Sequence, residues 1–108
     1  ALVRNNRFVG SCTTGIAVDG FNDVDPENVP FATNALLLGN NFSRLTSSIA
    51  NVYLGEKSKD CTVVGSKTDG LVIDNGVDNK ITGMKNGNPG LKLGPTITDN
   101  FRIVRGKP

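Results

Sequence analysis

Two short patterns recur along this chain with nearly the same period, and that periodicity constrains the fold more than any other feature. The first reads Asn6-Arg7-Phe8-Val9-Gly10, then Asn40-Asn41-Phe42-Ser43, Cys61-Thr62-Val63-Val64-Gly65, Asn79-Lys80-Ile81-Thr82-Gly83 and Asp99-Asn100-Phe101-Arg102. Its apolar centres, Phe8, Phe42, Val63, Ile81 and Phe101, lie 34, 21, 18 and 20 residues apart. The second pattern interleaves with it as Gly15-Ile16-Ala17-Val18, Asn51-Val52-Tyr53-Leu54, Gly70-Leu71-Val72-Ile73 and Gly90-Leu91-Lys92-Leu93. Two patterns sharing one period indicate a solenoid in which each repeat is one coil.

Strand side chains alternate between faces, so each pattern yields stacked columns. The expected inner columns are Phe8, Phe42, Val63, Ile81, Phe101; Ile16, Val52, Leu71, Leu91; and Val18, Leu54, Ile73, Leu93. The Asn or Asp heading each first strand (Asn6, Asn40, Asn79, Asp99) suggests an amide ladder from coil to coil. Residues 19–33 break the period and read as a loop insertion, and Ala35-Leu36-Leu37-Leu38 after them reads as a third strand. The expected fold is all-β: one domain over residues 1–108, a right-handed parallel β-helix of four to five coils of 18–21 residues.

Here the residues resemble a known family. Repeated Asn-x-Phe-x-Gly followed by Gly-Ile-x-Val is similar to the degenerate coils of the pectate-lyase-like right-handed parallel β-helices. The likeness spans about residues 5–104, with Asn79-Lys80-Ile81-Thr82-Gly83 and Gly70-Leu71-Val72-Ile73 as its clearest coils. It implies a fold and a setting, extracellular or cell-surface work on polysaccharide, more than an activity, since lyases, hydrolases and non-catalytic proteins share the coil. The left-handed hexapeptide helix fits poorly, because the 20- and 21-residue spacings break a strict six-residue rule.

Composition narrows the chemistry. With no His, triads, imidazole bases and His metal clusters are excluded. The polygalacturonase type of the resembled family carries Asn-Thr-Asp, Asp-Asp, Gly-His-Gly and Arg-Ile-Lys. The first three are missing, and Arg102-Ile103-Val104 only approaches the fourth. A net charge of +2 without a Lys/Arg run gives no footprint for nucleic acid. No apolar run approaches the roughly 20 residues that span a bilayer. Cys12 and Cys61 are expected as buried free thiols or, in a secreted chain, as a single bridge.

Candidate site residues follow from the outward columns. Arg7, Asn41, Tyr53, Lys80, Lys92 and Arg102 would face solvent and could contact carbohydrate, the cations holding uronate carboxylates. Asp19, Asp23, Asp25 and Glu27 are weak calcium candidates that lack the spacing of an EF-hand loop, and they also read as a solvated acidic loop. Asp74 and Asp78 are explained by turn formation. Asn41-Phe42-Ser43 fits a glycosylation sequon. No catalytic residue is assigned, and no cofactor.

The expected function is a non-catalytic β-helix segment, structural or carbohydrate-contacting, in a secreted or surface protein. The alternatives are a fragment of a polysaccharide lyase or glycoside hydrolase, and part of a trimeric fibre or phage tail-spike. Ala1 leads straight into the first repeat, as expected of a piece of a longer chain or of a chosen expression boundary. The N-terminal strand edge is therefore expected to be covered by an upstream segment or by a copy in a homo-oligomer.

Overall fold

The computed structural model describes residues 1–20, 24, 25, 27–88 and 90, and they are mostly β. Among the described residues ten strands run in chain order: β1 (Leu2–Arg4), β2 (Arg7–Val18), β3 (Ala32–Thr33), β4 (Leu36–Leu38), β5 (Asn41–Leu54), β6 (Ser58–Lys59), β7 (Thr62–Val64), β8 (Leu71–Asp74), β9 (Lys80–Thr82) and β10 (Lys85–Asn86). One 3-10 turn, Lys67–Asp69, lies between β7 and β8. Every pairing is parallel. The first sheet has the order β1-β4-β7-β9, the second β2-β5-β8-β10, and the third β3-β6. A parallel bridge from Lys59 to Val77 continues the third sheet. The chain therefore visits the first, second and third sheets in turn, then returns to the first one strand further along.

Alternation decides what each strand buries. In the first sheet Val3, Leu37, Val63 and Ile81 stand in register; the first three are buried and Ile81 is half-buried against them. In the second sheet Ile16, Val52 and Val72 form one inner column, and Val18 pairs with Leu54. All five join the same core cluster. The opposite face of that sheet carries Ala17, Tyr53 and Ile73 in register, buried in a second cluster with Ala50.

The corners explain why the sequence repeat is so visible. Asn34, Asp60 and Asp78 adopt left-handed backbone, with φ of 58°, 55° and 55°. All three lead from the third sheet into the first. Asn5 and Gly39, at 58° and 62°, lead from the first sheet into the second. Asn and Asp tolerate this region, because short polar side chains relieve its strain locally. Corners also bond from coil to coil: Asn34 N–H donates to Lys59 O at 3.1 Å, Asp60 to Val77 O at 3.1 Å, and Asn5 to Leu38 O at 3.0 Å.

Several expectations are corrected. The single column of Phe8, Phe42, Val63 and Ile81 divides in two. Phe8 stacks on Phe42, ring centroids 5.0 Å apart, in the second sheet. Val63 and Ile81 belong to the first sheet, in line with Leu37. The physical reason is that both corner types use one local code: a left-handed residue, two more residues, then an inner apolar side chain. Asn5…Phe8 and Gly39…Phe42 spell it at one corner; Asn34…Leu37, Asp60…Val63 and Asp78…Ile81 spell it at the other.

The second-sheet register also slips by one at β8, because Val52 pairs with Val72 rather than with Leu71. Leu71 is consequently exposed and Val72 buried, and Ile73 faces the second cluster. The spacing of neighbouring strands in the first sheet is not uniform: Leu36 to Thr62 spans 26 residues where 18–21 were expected, and Thr62 to Lys80 spans 18. The insertion ends sooner than residue 33, since Ala32–Thr33 is β3, paired with β6, with Ala32 in the core. Phe31 stays outside, with Lys57 Nζ 4.9 Å from its ring centroid. Among the described residues the amide ladder is one rung. Asn40 Oδ1 accepts from Asn6 N–H at 3.1 Å and from Asn6 Nδ2 at 3.3 Å, while Asn79 bonds Cys61 N–H, Ser58 Oγ and Asp74 Oδ1 instead. Leu91, Leu93, Asp99 and Phe101 lie outside the described residues.

Candidate functional site

The stretch that carries the chain from the first sheet to the second changes length from coil to coil. It runs from Leu38 to Val52 in the second coil, from Val64 to Val72 in the third, and from Thr82 to Asn86 in the fourth. The long second-coil stretch therefore overhangs the shorter third, and a ledge results. An open groove of about 390 Å³ lies along it, lined by Gly39, Asn40, Asn41, Ser43, Val64, Gly65, Ser66, Thr68 and Asp69.

The floor is Ser66, Thr68 and Asp69, on a turn held by its own capping chemistry. Ser66 N–H donates to Asp69 Oδ2 at 2.8 Å, and Ser66 Oγ donates to the same oxygen at 3.2 Å. Asp69 N–H returns a bond to Ser66 O at 3.0 Å. Ser66 Oγ and Thr68 Oγ1 are also 2.8 Å apart. A carboxylate bonding the exposed N–H at the start of a turn is the usual way such a turn is fixed.

From beneath, buried Asn51 grips the end of the turn. Its Nδ2 donates to Asp69 O at 2.7 Å, and its Oδ1 accepts from Ser47 Oγ at 2.6 Å. Gly70 follows at φ 87°, and a Cβ there would collide with Asn51 Nδ2. Glycine is required on both counts. The opposite wall is β5, where Asn41 is exposed and its Oδ1 accepts from Ser43 N–H at 2.8 Å. Asn40 is buried and spends its amide on Asn6 and on Val3 O, the latter at 3.0 Å.

Of the predicted carbohydrate contacts, Arg7 and Asn41 come together as register partners across β2 and β5. Lys80 lies on the first sheet beside Thr62. Tyr53 is only 4% exposed, packed among Ala17, Ala50 and Ile73; a ring buried on both faces offers no platform for a sugar, so its expected exposure is corrected. Lys92 and Arg102 lie outside the described residues.

Of the weak calcium candidates, Asp19, Asp25 and Glu27 fall among the described residues. Asp19 Oδ1 accepts from Gly20 N–H and Lys57 N–H, each at 2.9 Å, and so ties the loop base to the next coil. Asp25 Oδ2 accepts from Asn28 Nδ2 at 2.6 Å, Glu27 is exposed, and Asp23 lies outside the described residues. Among the described residues no three His, Cys, Asp or Glu side chains gather as a metal would need. Asp74 Oδ1 accepts from Gly76 N–H at 3.0 Å and so closes its turn. Neither Cys12, which is half-buried, nor Cys61, which is buried, is joined in a disulfide.

Sequence reasoning missed Ser43, Ser66, Thr68 and Asp69. The signal was present: Ser66-Lys67-Thr68-Asp69 has capping-box spacing and sits between Gly65 and Gly70. Set against models of known families, curated proteins and solved structures, the chain matches none.

Proposed function

We propose that this chain is a segment of a right-handed parallel β-helix of the pectate-lyase-like kind, a rigid and non-catalytic scaffold in a secreted or surface protein, contacting polysaccharide through the ledge groove. The observation that carries this reading is the cyclic order in which the strands visit three parallel sheets. Parallel strands joined by a crossover within one sheet are almost always connected right-handedly, which supports the hand. A scaffold role draws support from the carboxylates, because Asp19, Asp69 and Asp74 each accept a backbone N–H and act as turn fasteners. Carbohydrate contact draws support from the groove, where hydroxyl, amide and carboxylate groups converge on a rigid wall.

A glycan array probed with the whole chain tests the function. Binding to a defined polysaccharide class, abolished by Ser43→Trp filling the groove, is the expected result. Binding that survives this substitution, or no binding to any glycan, contradicts it.

One observation favours a second reading, part of a trimeric fibre or tail-spike. The outer face of the first sheet exposes Leu2 (57%) and Leu36 (41%) as register partners, with Val64 (40%) two residues further along the next strand. The strands β1, β2 and β3 also end their sheets at the same end of the stack, where an upstream coil or a second copy could add strands. Light scattering at micromolar concentration separates the readings: a trimer that Leu36→Lys dissolves supports the fibre, and a monomer opposes it.

A further inference from the structure

We infer that the ledge groove selects a neutral, hydroxyl-rich glycan held through the Asp69 carboxylate, and not a uronate chain; this rests on the carbohydrate reading above. Asn41, Ser43, Ser66 and Thr68 bring neutral polar groups to the groove, and among the described lining residues Asp69 brings the one charge. That charge is negative. A uronate carboxylate seated beside it would meet a like charge, which costs both affinity and on-rate. A neutral sugar instead brings O–H donors to a carboxylate acceptor, the stronger class of hydrogen bond.

The carboxylate is already oriented for this. Asp69 Oδ2 takes both bonds from Ser66, which leaves Oδ1 to accept from a ligand hydroxyl. On the facing wall Asn41 commits its Oδ1 to Ser43 N–H, and its Nδ2 is the donor for a ligand oxygen. Arg44 and Lys67 adjoin lining residues in sequence, but they are exposed and do not line the groove. Their charges on long stems stay in solvent, where salt screens them. Among the described residues no aromatic ring lines the groove, so the affinity expected is weak, on the order of millimolar.

The test is an amide-shift titration of the isotopically labelled chain at low and high salt. One arm uses neutral oligosaccharides cut from glucan and galactan; the other uses oligogalacturonate and oligoalginate. The expected result is that neutral sugars shift the amides of Ser43, Ser66, Thr68 and Asp69, with little change between salts. Asp69→Asn should weaken that binding about tenfold, as loss of a charge-assisted bond does. Its amide oxygen can still accept from Ser66, so the turn survives. Thr68→Ala is the second variant. It leaves the Ser66–Asp69 bonds untouched and should weaken binding severalfold.

Uronates that bind the groove more tightly than neutral sugars, with an affinity that falls as salt rises, overturn the inference and leave the carbohydrate reading standing. So do neutral sugars whose shifts cluster around Arg7 or Lys80 and spare Ser66 to Asp69. No shift with any oligosaccharide overturns the inference and the carbohydrate reading together.

Discussion

The corner from the third sheet into the first is built alike in three coils, whereas the stretch from the first sheet to the second differs in each. At the constant corner Asn34, Asp60 and Asp78 share one backbone conformation. The residues after them, Ala35, Cys61 and Asn79, begin the bonding that stacks each coil on the next: Thr62 N–H donates to Ala35 O and Lys80 N–H to Cys61 O, both at 2.8 Å. At the variable stretch β2 and β5 are long and bulged, the third coil substitutes a 3-10 turn, and the fourth is nearly direct. Each such corner must keep its geometry or the strands on either side lose their hydrogen bonds. Elsewhere the chain is free to swell outward, and loops that swell on a rigid scaffold are where binding sites form.

If the constant side carries the stability, breaking its column should have the largest effect. Val63→Asp places an unpaired charge in the first-sheet core, where Val63 is 1% exposed. We expect a loss of about 4 kcal/mol or more, enough to unfold the chain. Thr62→Asp, one residue earlier on the same strand and only partly buried, should cost less than about 1 kcal/mol. Equal melting temperatures for the two would erase the distinction between inner and outer faces.

The variable side should break locally. Gly70→Ala forces an alanine to φ 87° and drives its Cβ into Asn51, at a cost of about 2–3 kcal/mol. Asn51→Ala removes the bonds to Asp69 O and Ser47 Oγ, for a loss of about 2 kcal/mol. Hydrogen exchange should then rise at Asp69 N–H, which closes the turn on Ser66 O, while Thr62 and Lys80 N–H keep their protection. Exchange rising equally at all three would mean that the two regions are not separable.

The smallest effect has the opposite sign. Thr14 is fully buried beside the bulge in β2, and its Oγ1 has no partner among the described residues. Thr14→Val keeps the shape and removes the stranded hydroxyl, so thermal denaturation should show a gain of about 1 kcal/mol. Destabilisation instead would point to a water or a side chain bonded there.

The periodicity made the parallel strands legible, because Phe8, Leu37, Phe42, Val63 and Ile81 each stand three residues after a turn-forming Asn, Asp or Gly. The identity of each turn was not legible. Asn5-Asn6-Arg7-Phe8 and Asp78-Asn79-Lys80-Ile81 look alike because a left-handed residue followed by an inward side chain is a local instruction. Which sheet it opens depends on the length of chain since the last corner. The slip at β8 has a similar origin: Gly15 is a strand glycine against Phe42 and Leu45, and Gly70 is a turn glycine against Asn51. The groove was hidden for a different reason. Its residues adjoin only because coils of unequal length are stacked, and neither coil alone spells it.

The account rests on the first-sheet order β1-β4-β7-β9, in which Leu36 and not Asn41 lies beside Thr62. Engineered cysteines test it directly, in a background where Cys12 and Cys61 are serine. Neighbouring strands bring paired Cα atoms within the range that a disulfide spans. Mass spectrometry after mild oxidation should find Leu36→Cys bridged to Thr62→Cys in high yield, and Asn41→Cys left unbridged with Thr62→Cys. A bridge between positions 41 and 62, with none between 36 and 62, would restore the single Phe42–Val63 column and contradict the order of the coils.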